Sequence, residues 1–259
     1  MVELLFWPAL LAYGEAAVAY GADVRRPGRA GRLATWGVRV GWLAQSALLA
    51  VQAVRADGFP WTSWAGALNL FVWLTIGVYL IWGCRARYRL LGLAVMPVAV
   101  LLFALAGAGG GTEAGAQSDL SNLFLVLHVG LVLAGFAGFT LAAALAALYL
   151  FQERRLKSRR PSVLRLPAPP LAALDRFGVR TIAVALPALT LGIVVGIARL
   201  FSSDGSLDAV MGATLGTWAA YAAFLVLRLG FGVRGRRAAY LALAGFALVL
   251  VVLPIGHFS

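Results

Sequence analysis

Cysteine is almost missing from this chain. Cys84 stands alone among 259 residues, which excludes an internal disulfide, a paired-cysteine metal site and a cofactor attached through CxxCH. Histidine is nearly as scarce: only His128 and His257 occur, too few for zinc, which usually takes three or four protein ligands. Acidic side chains number 10 against 22 basic ones. No Ser/His/Asp set, HExxH or paired carboxylates in a defined cleft is recognisable, so a hydrolytic mechanism has no apparatus and bond-breaking catalysis is not expected. The glycine-rich stretch GAGGGTEAGAQSD (107–119) lacks the GK[ST] ending of a phosphate-binding loop and reads as a flexible linker.

What the chain has instead is apolar length. Hydrophobic residues make up 62% and charged residues 12% of it, with mean hydropathy +0.88, which marks a polytopic membrane protein. Crossing the hydrocarbon core takes roughly 20 apolar residues. Eight spans meet that criterion: Leu4 to Tyr20, Leu33 to Val54, Ala65 to Trp82, Leu90 to Gly107, Ser121 to Phe151, Val179 to Leu200, Ala209 to Arg228 and Ala238 to Leu253. Glu3 stands where a cleaved signal peptide would carry basic residues, so the first run is expected to be retained.

Charge then orients the spans. The odd-numbered gaps hold the arginine clusters 25–32, 85–89, 154–176 and 234–237, and the even gaps hold Asp57, Glu113, Asp119, Asp204 and Asp208. By the positive-inside rule the odd gaps are cytoplasmic and both termini lie outside. The net charge of +12 thus reports topology, and no nucleic-acid partner is expected. The fold expected is all-α, a single eight-helix domain: five helices over 1–151, a basic cytoplasmic loop over 152–178 centred on PAPP, and three helices over 179–259.

Both histidines then fall on the outer side. His128 lies about two turns into a helix starting from that face, roughly 10 Å down at 1.5 Å per residue, and His257 follows the last helix as it emerges there. Two neutral imidazoles from separate helices can clamp a haem iron between them. The other reading is a buried His128 bonded to a backbone carbonyl and a solvated His257. Arg55 and Arg199 are the basic residues at outer helix ends, each a candidate for a haem propionate, which arginine binds in two-pronged geometry. Alternatively they snorkel or pair with Asp57 and Asp204. Trp218 sits at the depth of His128 and would wall a flat pocket, whereas Phe59, Trp61, Trp64 and Phe201 form an interfacial belt. Gly135, on the His128 face, admits either a macrocycle or a neighbouring helix. Glu15 in the first span and Arg39 in the second are expected to pair, because an isolated intramembrane carboxylate is costly. Pro97, Pro187 and Pro254 are expected to kink their helices, Pro254 turning the chain just before His257.

Four stretches carry a likeness: DGFPWTSWAGALNLFVWLTIGVYLIW (57–82), LVLHVGLVLAGFAGFTLAAALAALYLFQERRLK (125–157), PPLAALDRFGVRTIAVALPALTLGIVVGIARL (169–200) and PIGHF (254–258). In order and spacing they resemble the cytochrome c assembly proteins of the CcsA/ResC/HemX type. The resemblance implies a protein of the inner (cytoplasmic) membrane in which His128 and His257 ligate haem, taken here as haem b, for delivery outside to apocytochrome c. Where the family has a tryptophan-rich WxWDPKETW type of segment, this chain has SLDAVMGATLGTW (206–218), keeping only Thr217 and Trp218. Asp57 and Gly58 replace a further histidine of the family. These departures are similar to the HemX and YpjD branch, for which the implied role is a membrane accessory of haem metabolism, in some members influencing the level of glutamyl-tRNA reductase. The partners implied are the lipid bilayer, haem, and either a cytochrome c assembly protein or a tetrapyrrole-synthesis enzyme docked on the basic cytoplasmic loop. A transporter for another solute would show uptake independent of either histidine.

Overall fold

Backbone amides in hydrocarbon have no water to bond, so long apolar runs fold as helices that satisfy their own N–H and C=O groups. The computed structural model describes residues 2–25, 28–55, 61, 63–82, 89–112, 122–157, 169–200 and 209–258. Those residues form eight helices: α1 (Val2–Arg25), α2 (Arg29–Arg55), α3 (Trp64–Trp82), α4 (Arg89–Ala108), α5 (Asn122–Lys157), α6 (Leu171–Leu200), α7 (Ala209–Gly230) and α8 (Arg236–Phe258). Six of them, α1 and α3 to α7, are long and apolar enough to cross a membrane. Helix α2 is not among the six, because Arg39, Gln45, Ser46 and Gln52 dilute its apolar residues. The side chains of α8 are described only to residue 250.

Three helices run further than their apolar runs. Helix α5 continues past Phe151 to Lys157 because Gln, Glu, Arg, Leu and Lys are good helix formers and Glu153 bonds Lys157 at 2.8 Å one turn on. Helix α6 starts at Leu171, directly after Pro169 and Pro170, where the missing N–H groups of proline are no loss. Helix α8 carries Pro254 and His257 within its last turns and runs to Phe258, so the expected turn before His257 is not made. The fixed φ of proline is itself helical, and only one hydrogen bond is forgone.

The helices form two compact units, Met1–Val126 and Leu127–Ser259. In the first, α1 packs against α2 and α4, and α3 against α4 and α2. Glycine lets the helices close on bulky partners: a Cβ at Gly41 would meet the Tyr13 ring at 2.6 Å, and one at Gly107 the Phe6 ring at 2.3 Å. A buried polar chain ties α1, α2, α3 and the turn after α4 together. Tyr13 donates to Gln45 Oε1 at 2.7 Å, Gln45 donates to Asn69 Oδ1 at 2.8 Å, and Asn69 and Gln52 each donate to the Gly111 carbonyl at 3.0 Å. Replacing Gln45, itself fully buried, by Leu strands the Tyr13 hydroxyl and the Asn69 amide oxygen. We expect a loss of about 1–3 kcal/mol, read as a lower thermal midpoint of the detergent-solubilised protein.

The expected Glu15 to Arg39 ion pair is not formed. Gly37, against Ala12 and Ala16, and Gly41, against Tyr13, are among the α2 positions that meet α1. Arg39, two residues from each, is turned about 200° away from them at 3.6 residues per turn. Its guanidinium lies 5.3 Å from the centre of the Trp36 ring.

In the second unit α6 packs on α7 and α7 on α8. Phe139 of α5 stacks on Tyr221 of α7 with ring centres 3.7 Å apart, and the Tyr221 hydroxyl donates to the Ala242 carbonyl of α8 at 3.2 Å. Where α7 ends, Arg228 pairs with Asp175 of α6 and donates to the Val233 carbonyl at 2.7 Å. The turn to α8 passes through Gly232 and Gly235 at φ 65° and 66°, a left-handed conformation that glycine adopts without strain.

Candidate functional site

The antiparallel seam between α5 and α6 is built on small residues. Along it, Gly138 meets Ala185, Gly135 meets Leu189, Gly192 meets Val132, and Gly196 meets His128. Each step moves three or four residues along one helix and as many back along the other, the spacing of one helical face. Gly135 therefore serves the close approach of a helix, with its would-be Cβ 2.9 Å from Leu189.

His128 stands at the end of this seam. Its Nδ1 lies 2.8 Å from the Gly192 carbonyl oxygen. A carbonyl only accepts, so in the neutral ring Nδ1 carries the proton and Nε2 keeps its lone pair. Among the described residues no hydrogen bond to Nε2 is formed. The ring comes close enough to α6 that a Cβ at Gly196 would fall 2.6 Å from its Cε1; only glycine there leaves the imidazole its place. The backbone-bonded histidine that the sequence allowed is thus observed, and it is also the arrangement in which a ligating histidine is oriented through its second nitrogen.

Trp218 of α7 donates from Nε1 to Thr190 Oγ1 at 2.9 Å, and Thr190 in turn bonds the Leu186 carbonyl at 2.8 Å. Thr190 and Gly192 lie two residues apart on α6, about 3 Å along its axis and about 200° around it. The indole therefore shares a level with the imidazole but engages another side of α6. Arg199 lies in α6 one turn beyond Gly196, and His257 in the last turn of α8; their side chains lie outside the described residues. Arg55 ends α2 in the first unit, exposed. Asp57, Phe59, Phe201, Asp204 and most of the basic loop after α5 are likewise outside the described residues. Gly192, Gly196 and Thr190, which hold the two described rings, were not singled out from sequence, although the four-residue spacing in Gly192–Ile193–Val194–Val195–Gly196 is a known signal for close helix approach.

Residues 61–255 match the family model described as "Cytochrome C assembly protein". The chain belongs to the cytochrome c assembly protein family. Among its curated relatives, the cytochrome c biogenesis protein CcsA of Microcystis aeruginosa is 26% identical, with 85% of this chain and 82% of the relative covered. Protein HemX of Brevibacillus brevis is 29% identical over 76% of this chain and 73% of its own length. The CcsA of a Picosynechococcus species is 25% identical over 96% and 90%. Within the family match fall His128, Arg199 and Trp218, together with the glycine seam that seats the imidazole; Arg55 precedes it and His257 lies two residues past its end.

Proposed function

We propose that this cytochrome c assembly family protein crosses the membrane eight times with both termini outside and holds b-type haem near its outer face, with His128 and His257 as axial ligands. The observation that carries the reading is the His128 Nδ1 contact with the Gly192 carbonyl, which fixes the tautomer that presents Nε2 to a metal. Haem would supply an iron that takes two axial nitrogens. The chain's own residues would hold and orient it. His128 is braced by α6, Trp218 lies at the same level, and the Arg199 guanidinium would meet a propionate in two-pronged fashion. The CcsA relatives are named for cytochrome c biogenesis, which supports a part in the assembly of that haem protein.

Titration of haem into the detergent-purified protein tests this. A Soret shift is expected with wild type, a weaker one with His128→Ala or His257→Ala, and none with the double variant. A double variant that binds haem as wild type does, while keeping its circular dichroism, overturns the reading.

The match to HemX favours a second reading, in which the basic loop after α5 docks an enzyme of tetrapyrrole synthesis such as glutamyl-tRNA reductase and the outer site either senses haem or is a weak, vestigial one. Capture of that enzyme should then depend on the basic stretch Arg154 to Arg176. A pure carrier would be indifferent to its replacement.

A further inference from the structure

Glu15 lies near the middle of the span Leu4–Asp23, about 12–17 Å from either end at 1.5 Å per residue. It is exposed, on the helix face that carries Leu11 at 68% and Val18 at 76% exposure. That face is turned away from the helices packed against α1 in its own unit, since Ala12, Tyr13 and Ala16 on the other side are buried. Arg39 is exposed too, on a face of α2 shared with Trp36 and Leu43, each 62% exposed. The contact of Gly37 with Ala12 and Ala16 sets the antiparallel register, so Glu15 and Arg39 stand within about one helical turn of the same depth. Among the described residues neither side chain has an ion-pair partner.

A carboxylate facing lipid at mid-span is unfavourable by several kcal/mol, and such groups normally face protein or water and pair. The cation that matches it in depth and sign is on the same chain but on another side of the α1–α2 hairpin, out of reach. We propose that copies of this chain associate within the membrane, Glu15 of one copy pairing with Arg39 of the next. Because the two charges occupy different sides, the contact is head to tail, and repetition of one head-to-tail contact closes into a ring when the rotation permits. Desolvation by lipid makes the pair worth more than the surface pairs of a soluble protein, and the apolar residues around each charge, Leu11 and Val18 on one side and Trp36 and Leu43 on the other, exclude water from it.

The test uses the full chain with Cys84→Ser as background. In native membranes, oxidation of the Glu15→Cys, Arg39→Cys double variant is expected to give a ladder of cross-linked copies. Either cysteine alone should give none, because position 15 never meets position 15. In lipid nanodiscs, wild type should have an oligomeric mass, Glu15→Arg and Arg39→Glu should each be monomeric, and the charge-swapped double variant should recover the oligomer. Both positions are exposed, so the variants leave the packed interior intact, and retained circular dichroism checks this. A monomeric wild type, cross-linking by a single cysteine alone, or a swapped variant that stays monomeric while folded overturns the proposal. Those outcomes would assign Glu15 to a contact with a different membrane protein.

Discussion

Asp175→Ala is expected to be the most damaging single change in the second unit, lowering stability by about 3–5 kcal/mol. The Arg228 side chain, 10% exposed, pairs with an Asp175 side chain that is 15% exposed, so removing the carboxylate leaves a guanidinium largely out of water with no counter-charge. The Gly235 amide, 3.3 Å from Asp175 Oδ1, loses its acceptor in the same step, at the glycine that lets the chain turn into α8. The reverse change is milder in combination. Replacing both partners by apolar residues, as in Asp175→Leu with Arg228→Met, removes the buried charge together with its need, and most of the loss should be recovered. Thermal unfolding of the detergent-solubilised variants gives the order: wild type, double, then Asp175→Ala. A double variant no better than the single would show that the pair acts through its geometry rather than its charge.

Much of this was legible in the sequence, for reasons that can be stated. Helices were legible because apolar runs of some twenty residues between arginine clusters have few other solutions in lipid. Their ends were not, since Glu153, Arg154, Arg155 and Lys157 prolong α5 through helix propensity, which hydropathy does not see. The scarcity of histidine singled out His128, and the structure shows what seats it. The Glu15 to Arg39 pairing failed because equal depth does not bring two helix faces together: Gly37 and Gly41 mark a side of α2 that meets α1, and Arg39 lies on another. The polar chain through Gln45, Gln52 and Asn69 was not legible because uncharged amides in an apolar run give no sign of their partners, although once buried they demand them as firmly as charges do.

Gly196→Val is the second large expectation, and it falls on function. With a Cβ 2.6 Å from His128 Cε1 and 3.0 Å from Nδ1, the imidazole must leave the Gly192 carbonyl, and the orientation of its Nε2 goes with it. Loss of such an orienting contact lowers metal affinity by about 10–100-fold, so haem titration should show that much weakening although no proposed ligand has been altered. Gly135→Ala is the control on the same seam. Its Cβ meets Leu189 at 2.9 Å, well below the imidazole, so it should lower the thermal midpoint without a selective fall in haem affinity. If both variants weaken haem binding in proportion to their instability, the seam acts only as packing.

The amides of α2 also bear on how the first unit enters the membrane. Gln45 reaches Asn69 of α3 and Gln52 reaches Gly111 beyond α4, partners synthesised 24 and 59 residues later. Until they emerge from the ribosome, α2 lacks those later partners for its amides while also carrying Arg39. If α2 crosses the bilayer as proposed, its residence there becomes favourable as α3 and α4 arrive, and a nascent chain truncated before Asn69 should leave α2 poorly integrated.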